Sequence, residues 1–344
     1  MPGGLSPRAQ EAATHDSPQL DSPPLVSEQI QDAIDADDND ADSAFGEDLE
    51  PSVASITSSV LAYQEENGRR YHALSQGNIQ HELYIRCLDG ELCLSPMANG
   101  AKRVLDIGTG TGSWAVDYAD LHPDCEVIGV DLSPIQPTLC CLLGSVPPNL
   151  VFEIDDVEKE WTWTKKFDFI FARMMLGCFE DLRRFVRVAY DNLEPGGYLE
   201  LQDMGLPARS DDGTLAPDSY LSQWCDFCLE AGQNRDRPIF PVTEYKNYLA
   251  EAGFEDIVEV QKKWPTNTWP RDPRFKELGA WAYANIAGGL EGLSLAHFTR
   301  GLGWTSEQTL AFCASVRKDL KDPKIHAYWP IYVVYGRKPL RPIS

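Results

Sequence analysis

Apolar residues along the chain fall into short runs separated by helical spacings. Val104, Leu105 and Ile107 form a run that predicts a buried strand over 103–107, and Trp114, Val116, Tyr118, Ala119 and Leu121 then recur with helical period over 112–121. The alternation continues with strands at 126–130, 150–154 and 167–172, a helix at 180–193, a Pro-Gly-Gly turn and a strand at 197–202. This order predicts an α/β fold with a mostly parallel sheet and helices on both faces. Upstream, 57–76 reads as a helix followed by a polar turn, and 79–94 as a second helix with Ile79, Leu83, Ile85 and Leu88 on its apolar side. Downstream, helices are expected at 217–231, 243–252 and over most of 272–320, with strands at 254–264 and 329–339.

The first 56 residues stand apart. They hold thirteen carboxylates and one arginine, and they are rich in Ser, Ala and Pro. So little apolar surface cannot offset the entropy of ordering, which predicts a disordered acidic tail over 1–56 and a folded domain over 57–340. The formal charge of the whole chain is −23, which disfavours binding through nucleic-acid phosphates. No apolar stretch reaches the roughly 20 residues that span a bilayer, and no N-terminal signal pattern is present. The nine cysteines are scattered in a way that fits reduced thiols, so an intracellular protein, cytoplasmic or nuclear, is expected. Cys225 and Cys228 form a CxxC within a helical stretch. No second pair completes a metal site, so packing is expected of them and no metal of the chain.

The chemistry concentrates at Asp106-x-Gly108-x-Gly110-x-Gly112, between the first core strand and its helix. A glycine turn there lets a ligand approach the backbone at a helix start. Ser113 stands where the dinucleotide fingerprint needs its third glycine, and the Gly-Lys-Ser/Thr ending of a phosphate-binding loop is absent. The pattern instead resembles the S-adenosylmethionine site of Rossmann-like methyltransferases. On that reading Asp106 meets the cationic amino-acid portion, and Gly108, Thr109, Gly110 and Gly112 pass under the ribose. Asp131, with Leu132 beside it, offers a carboxylate to the ribose hydroxyls; Asp131 reads equally as a helix N-cap in Asp-Leu-Ser-Pro. Asp156, or its neighbour Asp155, is placed to accept from the adenine amino group, with Val157 in apolar contact. Arg173 is a candidate for the cofactor carboxylate, or else a surface ion pair, and Glu200 and Gln202 approach the same sheet edge.

The ordered set VLDIGTGTGSWAVDYAD, GVDLSPIQP, FEIDDVEKEW, FDFIFARMM and LEPGGYLELQD, together with YQEENGRRYH, resembles the fungal LaeA-like methyltransferases associated with secondary metabolism. The resemblance covers residues 60–340. It implies a seven-strand methyltransferase sheet whose last strand runs antiparallel, an S-adenosylmethionine cofactor, and a helical cap from 57–100, 203–250 and 265–320. Two segments depart from the family pattern: the stretch after Asn78 is shorter, and 138–145 is additional. Methyl transfer relies mainly on positioning, and the chain offers no obvious general base. His72 in the cap is the candidate; His81, His297 and His326 are isolated in sequence and read as packing or surface groups. The aromatic-rich cap segments suit a small organic acceptor. The alternatives are a regulator on the same fold, with the acidic tail meeting protein partners in a nuclear complex, and a cofactor-binding remnant without turnover.

Overall fold

Short runs rich in Val, Ile and Phe become strands because the sheet buries them on both faces, leaving no polar face to alternate with. The computed structural model describes residues 28–37, 65–66, 69–70, 76–133 and 146–340. It opens with β1 (Glu28–Ile30) and the paired two-residue strands β2 (Glu65–Glu66) and β3 (Arg69–Arg70). Helix α1 (Gln76–Cys87) leads into β4 (Arg103–Ile107), α2 (Ser113–Leu121), β5 (Glu126–Asp131) and β6 (Leu150–Ile154). Then come β7 (Phe167–Arg173), α3 (Leu182–Asn192), β8 (Leu193–Met204), β9 (Arg209–Ser210) and α4 (Tyr220–Asn234). The chain finishes through α5 (Tyr245–Ala252), β10 (Glu255–Pro265), α6 (Pro273–Gly301), α7 (Ser306–Lys321) and β11 (Ala327–Arg337).

The sheet runs in the order β1-β10-β11-β8-β7-β4-β5-β6, with β9 also pairing to β11. Strand β11 is antiparallel to both β8 and β10, while β4, β5, β6, β7 and β8 are mutually parallel. This is the mostly parallel Rossmann-like seven-strand sheet with an antiparallel last strand, extended at one edge by β1. Among the described residues no helix is long and apolar enough to cross a membrane.

Three expectations need correction. The disordered tail over 1–56 fails at 28–37. There β1 adds to β10 in parallel, Lys263 N–H donates to Gln31 Oε1 at 2.8 Å, and Lys276 Nζ meets Asp37 at 2.7 Å. An open sheet edge offers backbone partners, so this segment gains order without needing a hydrophobic core of its own. The helix expected over 57–76 is interrupted by the β2–β3 pair, and the rest of that segment, like 138–145, lies outside the described residues. The helix expected over 79–94 starts earlier and stops at Cys87, because Asp89 and Gly90 take positive φ of 58° and 97° and Gly90 N–H closes on Ile85 O at 2.8 Å.

Each sheet face has its own helix layer. Leu105, Ile107, Ile170, Leu199 and Val334 pack against Phe185 and Val186 of α3 and Tyr245 and Leu249 of α5. On the opposite face Val104, Phe169 and Phe171 pack against Trp114 and Tyr118 of α2. That same face continues over β10 and β11, where Trp264, Trp329 and Ile331 meet α1, α4, α6 and α7. The cap is therefore the second half of one helix layer, resting beside α2. CxxC residues Cys225 and Cys228 are buried there as packing groups.

Trp114 anchors α2, and with it the glycine turn. Its ring stacks on Phe171 at 3.9 Å and Tyr118 at 4.8 Å, and its indole N–H donates to Leu92 O at 3.0 Å. Trp114→Ala is expected to lower unfolding free energy by about 3–5 kcal/mol in urea titrations, and Trp114→Phe by less.

Candidate functional site

The C-terminal ends of β4, β5, β6, β7 and β8 meet at one edge, where open α/β sheets bind ligands. After β4 the chain turns through Gly108, Gly110 and Gly112 with φ of +65°, +55° and +80°. L side chains rarely adopt that region, which accounts for all three glycines. Their surroundings differ. A Cβ on Gly112 would sit 2.5 Å from the Phe152 ring, and one on Gly108 would overlap the Met175 sulfur. A Cβ on Gly110 would meet nothing nearer than Gly108 O at 3.9 Å. Two glycines thus make room for protein, while at the third an added carbon would touch nothing closely.

Four carboxylates lie at or just past the ends of β4, β5 and β6. Asp106 is buried and accepts from Thr109 Oγ1 at 2.5 Å. Burial raises its pKa to about 7, against the opposing pull of the Thr109 hydrogen bond and of Arg173. Asp131 accepts Gly110 N–H at 2.9 Å on one oxygen and Ser133 N–H at 2.9 Å on the other. The first bond ties β5 to the glycine turn and the second turns the chain just after β5; the helix that Asp131 was expected to cap lies outside the described residues. Leu132 beside it is exposed. Past β6, Asp155 accepts the Asp156 N–H, and Asp156 accepts the Glu158 N–H and lies 3.4 Å from Lys159 Nζ. Val157 packs with Trp161, whose indole N–H donates to its carbonyl at 2.8 Å.

Arg173 closes β7, is mostly buried, and makes no ion pair among the described residues. Its Nη2 donates to His81 Nδ1 at 2.9 Å, and its guanidinium lies 4.9 Å from the Tyr84 ring and 5.9 Å from Phe171. Burial depresses its pKa, with Tyr84 and Asp106 pulling it back up. The Nη1 atom is shut off from solvent and has no hydrogen-bond partner among the described residues. His81 in turn bonds Asp117 Oδ2 through Nε2 at 2.9 Å, and burial holds its pKa below the usual value despite that carboxylate.

Other groups at this edge were not singled out by sequence reasoning, or were read differently. Asp203, buried at the end of β8, accepts Met175 N–H and Tyr245 Oη, both at 2.8 Å, which fixes the loop after Arg173. Burial raises its pKa to about 7. Glu200 accepts the N–H groups of Leu94 and Ser95 at 2.9 Å and 2.7 Å, and Gln202 donates to Leu92 O at 3.2 Å. Both candidates therefore hold the loop ahead of β4. His72 lies outside the described residues. His297 pairs with Arg235 at 2.8 Å and His326 with Asp212 at 2.5 Å. Of the cap aromatics, Trp224, Trp264, Trp269 and Phe298 are core. Phe227, Trp281, Tyr283 and Trp304 are partly buried against the cap cluster that also holds Met174 and Leu176, beside Arg173. No group of side chains among the described residues is arranged to hold a metal.

The different surroundings of the glycines have measurable consequences. Gly112→Ala combines a left-handed backbone with overlap on Phe152 and is expected to cost about 2–4 kcal/mol in denaturant titrations. Gly110→Ala meets only the backbone penalty, about 1 kcal/mol.

A family model described as a methyltransferase domain matches residues 79–260, the span from α1 through β8 into β10. The methyltransferase pytC of Aspergillus terreus is 37% identical over 307 residues, covering 85% of this chain and 93% of its own. The probable methyltransferase tdiE of Emericella nidulans is 35% identical, covering 83% of this chain and 87% of its own. The secondary metabolism regulator LAE1 of Cochliobolus heterostrophus is also 35% identical, over 80% of this chain and 94% of its own. With the sheet order and the glycine turn already in place, these similarities identify the chain as a member of the fungal LaeA-like methyltransferases.

Proposed function

We propose that this protein binds S-adenosylmethionine at the edge formed by β4, β5, β6 and β7 and methylates a small organic acceptor. The observation that carries the reading is an unsatisfied donor at this sheet edge. The buried Nη1 of Arg173 has no hydrogen-bond partner among the described residues, and no atom lies within 3.9 Å of the place a Cβ on Gly110 would take. A buried donor left unsatisfied is costly, so a ligand carboxylate is its natural complement. Asp106 supplies the opposite charge for an ammonium group. A zwitterionic amino-acid moiety thus fits between Asp106 and Arg173. Asp131 keeps lone pairs for ribose hydroxyls beside its two backbone bonds. Asp156 or Asp155, with the apolar flank of Val157, lies beyond β6 on the side where an adenine would extend.

The cofactor's sulfonium carries the methyl group that an acceptor atom takes by in-line displacement. The chain's own contribution is alignment and exclusion of water, worth on the order of 7–11 kcal/mol when the reactants are well oriented. The partly buried aromatics Phe227, Trp281, Tyr283 and Trp304 of the cap favour an apolar acceptor. A second reading, a regulator acting through protein partners, draws support from the likeness to LAE1 and would give the acidic N-terminal segment a role.

Isothermal titration with S-adenosylmethionine and S-adenosylhomocysteine is expected to show binding that Gly110→Arg abolishes; a folded protein that binds neither overturns the proposal. Methyl-labelled cofactor incubated with fungal extracts then separates the two readings, by label entering either the low-mass or the protein fraction. Affinity should also depend on pH. Asp106 must be charged to meet an ammonium group, and its pKa of about 7 means that binding weakens as pH falls through neutrality. About tenfold weaker binding is expected at pH 6 than at pH 8, with Asp106→Asn flattening the profile.

A further inference from the structure

We propose that His81 is a positioning residue: together with Asp117 it orients the guanidinium of Arg173 so that its second edge is presented to the cofactor's amino-acid carboxylate. The inference rests on the cofactor reading above. It makes helix α1 of the cap a working part of the cofactor site.

The three side chains come from three elements: His81 from α1, Asp117 from α2 and Arg173 from the end of β7. Their hydrogen bonds dictate the proton positions. Arginine has only donors, so the 2.9 Å contact from Arg173 Nη2 makes His81 Nδ1 the acceptor. The ring hydrogen must then sit on Nε2, where it donates to Asp117 Oδ2 at 2.9 Å. Asp117 thus selects the one neutral tautomer that can hold the arginine. Protonating the ring would instead place a donor against a donor and a cation against a cation. The groups facing the ring are Asp117 from α2, Arg173 from β7 and Glu82 next to it on α1.

A neutral ring between the two charges has a physical purpose. Direct contact of Arg173 with Asp117 would satisfy the guanidinium inside the protein and leave little attraction for a ligand. The imidazole passes on a hydrogen bond while keeping the carboxylate one ring away. Tyr84, also on α1, lies 4.9 Å from the guanidinium centre and limits its swing. The result is a cation fixed on one side, with Nη1 buried and unspent on the other. A histidine serving only as packing has no need of this alignment.

The test compares two ligands. S-adenosylhomocysteine carries the amino-acid carboxylate; 5′-methylthioadenosine shares the adenosine and thioether but lacks it. Both are titrated calorimetrically into the full chain and into His81→Phe, His81→Asn and Asp117→Ala, with thermal melts run alongside. His81→Phe is expected to weaken S-adenosylhomocysteine binding by about 10–100-fold, the range for losing a charge-assisted hydrogen bond, while methylthioadenosine affinity stays unchanged. His81→Asn, whose amide oxygen stands near the place of Nδ1, should recover most of that loss. Asp117→Ala, on the half-exposed side of α2, should produce a smaller loss confined to S-adenosylhomocysteine, and it carries the test if His81→Phe fails to fold. Equal losses for both ligands, or no loss for either, overturn the assignment in favour of plain packing. A wild-type chain that binds neither ligand removes the cofactor reading itself, and the role of His81 with it.

Discussion

A guanidinium placed at the end of an inner strand must have its charge answered, and much of the sheet edge is organised around that requirement. Arg173 cannot shed its proton, and burial strips it of water. The protein supplies an imidazole acceptor, two aromatic faces and the nearby Asp106 carboxylate, yet leaves one nitrogen without a partner among the described residues. The neighbouring features maintain that incomplete compensation. Asp203 pins Met175 just beyond the arginine, and Glu200 and Gln202 pin the loop over which α1 reaches it. Stability alone would favour closing the gap with a carboxylate. The zwitterion proposed above would give the site a reason to keep it open.

The glycine turn balances packing against access in a similar way. Phe152 fills the space over Gly112 and Gly129, wedging β6 against the turn, so those positions serve the fold. Gly110 differs, because no atom lies within 3.9 Å of the place a Cβ would take there. One short stretch therefore combines tight packing at Gly112 with space for a side chain at Gly110. Asp131 joins the two by hydrogen bonding the Gly110 amide.

Much of this was legible in the sequence because the core strands carry their burial in composition. The runs at 103–107, 126–130 and 167–172 are mostly apolar, as suits strands covered on both sides, whereas the equally apolar 150–154 forms the edge strand β6, with Val151 and Ile154 exposed. The glycine spacing and the acids after β5 and β6 were legible for the same reason: they follow strand ends directly. The groups that complete the site were not. His81 looks isolated because its partners lie 36 and 92 positions away, on elements that meet only in the folded chain. Asp203 and Tyr245 form a pair across the far face with 42 positions between them. Strand β1 was hidden for a different reason: its order comes from backbone bonds to β10, which composition does not record.

Strand β11 has a consequence for how the molecule is made. It is the last described strand in the chain, yet it lies between β8 and β10 and runs against both. During synthesis the parallel half, β4 to β8, can assemble early, but its growing edge has no neighbour until residues 327–337 leave the ribosome. The cap helices α4, α6 and α7 emerge before the strand floor on which they rest is complete. Assembly of the parallel half and closure of the cap layer are thus separated in time, with the nascent chain carrying an unpaired β8 edge until β11 slots in.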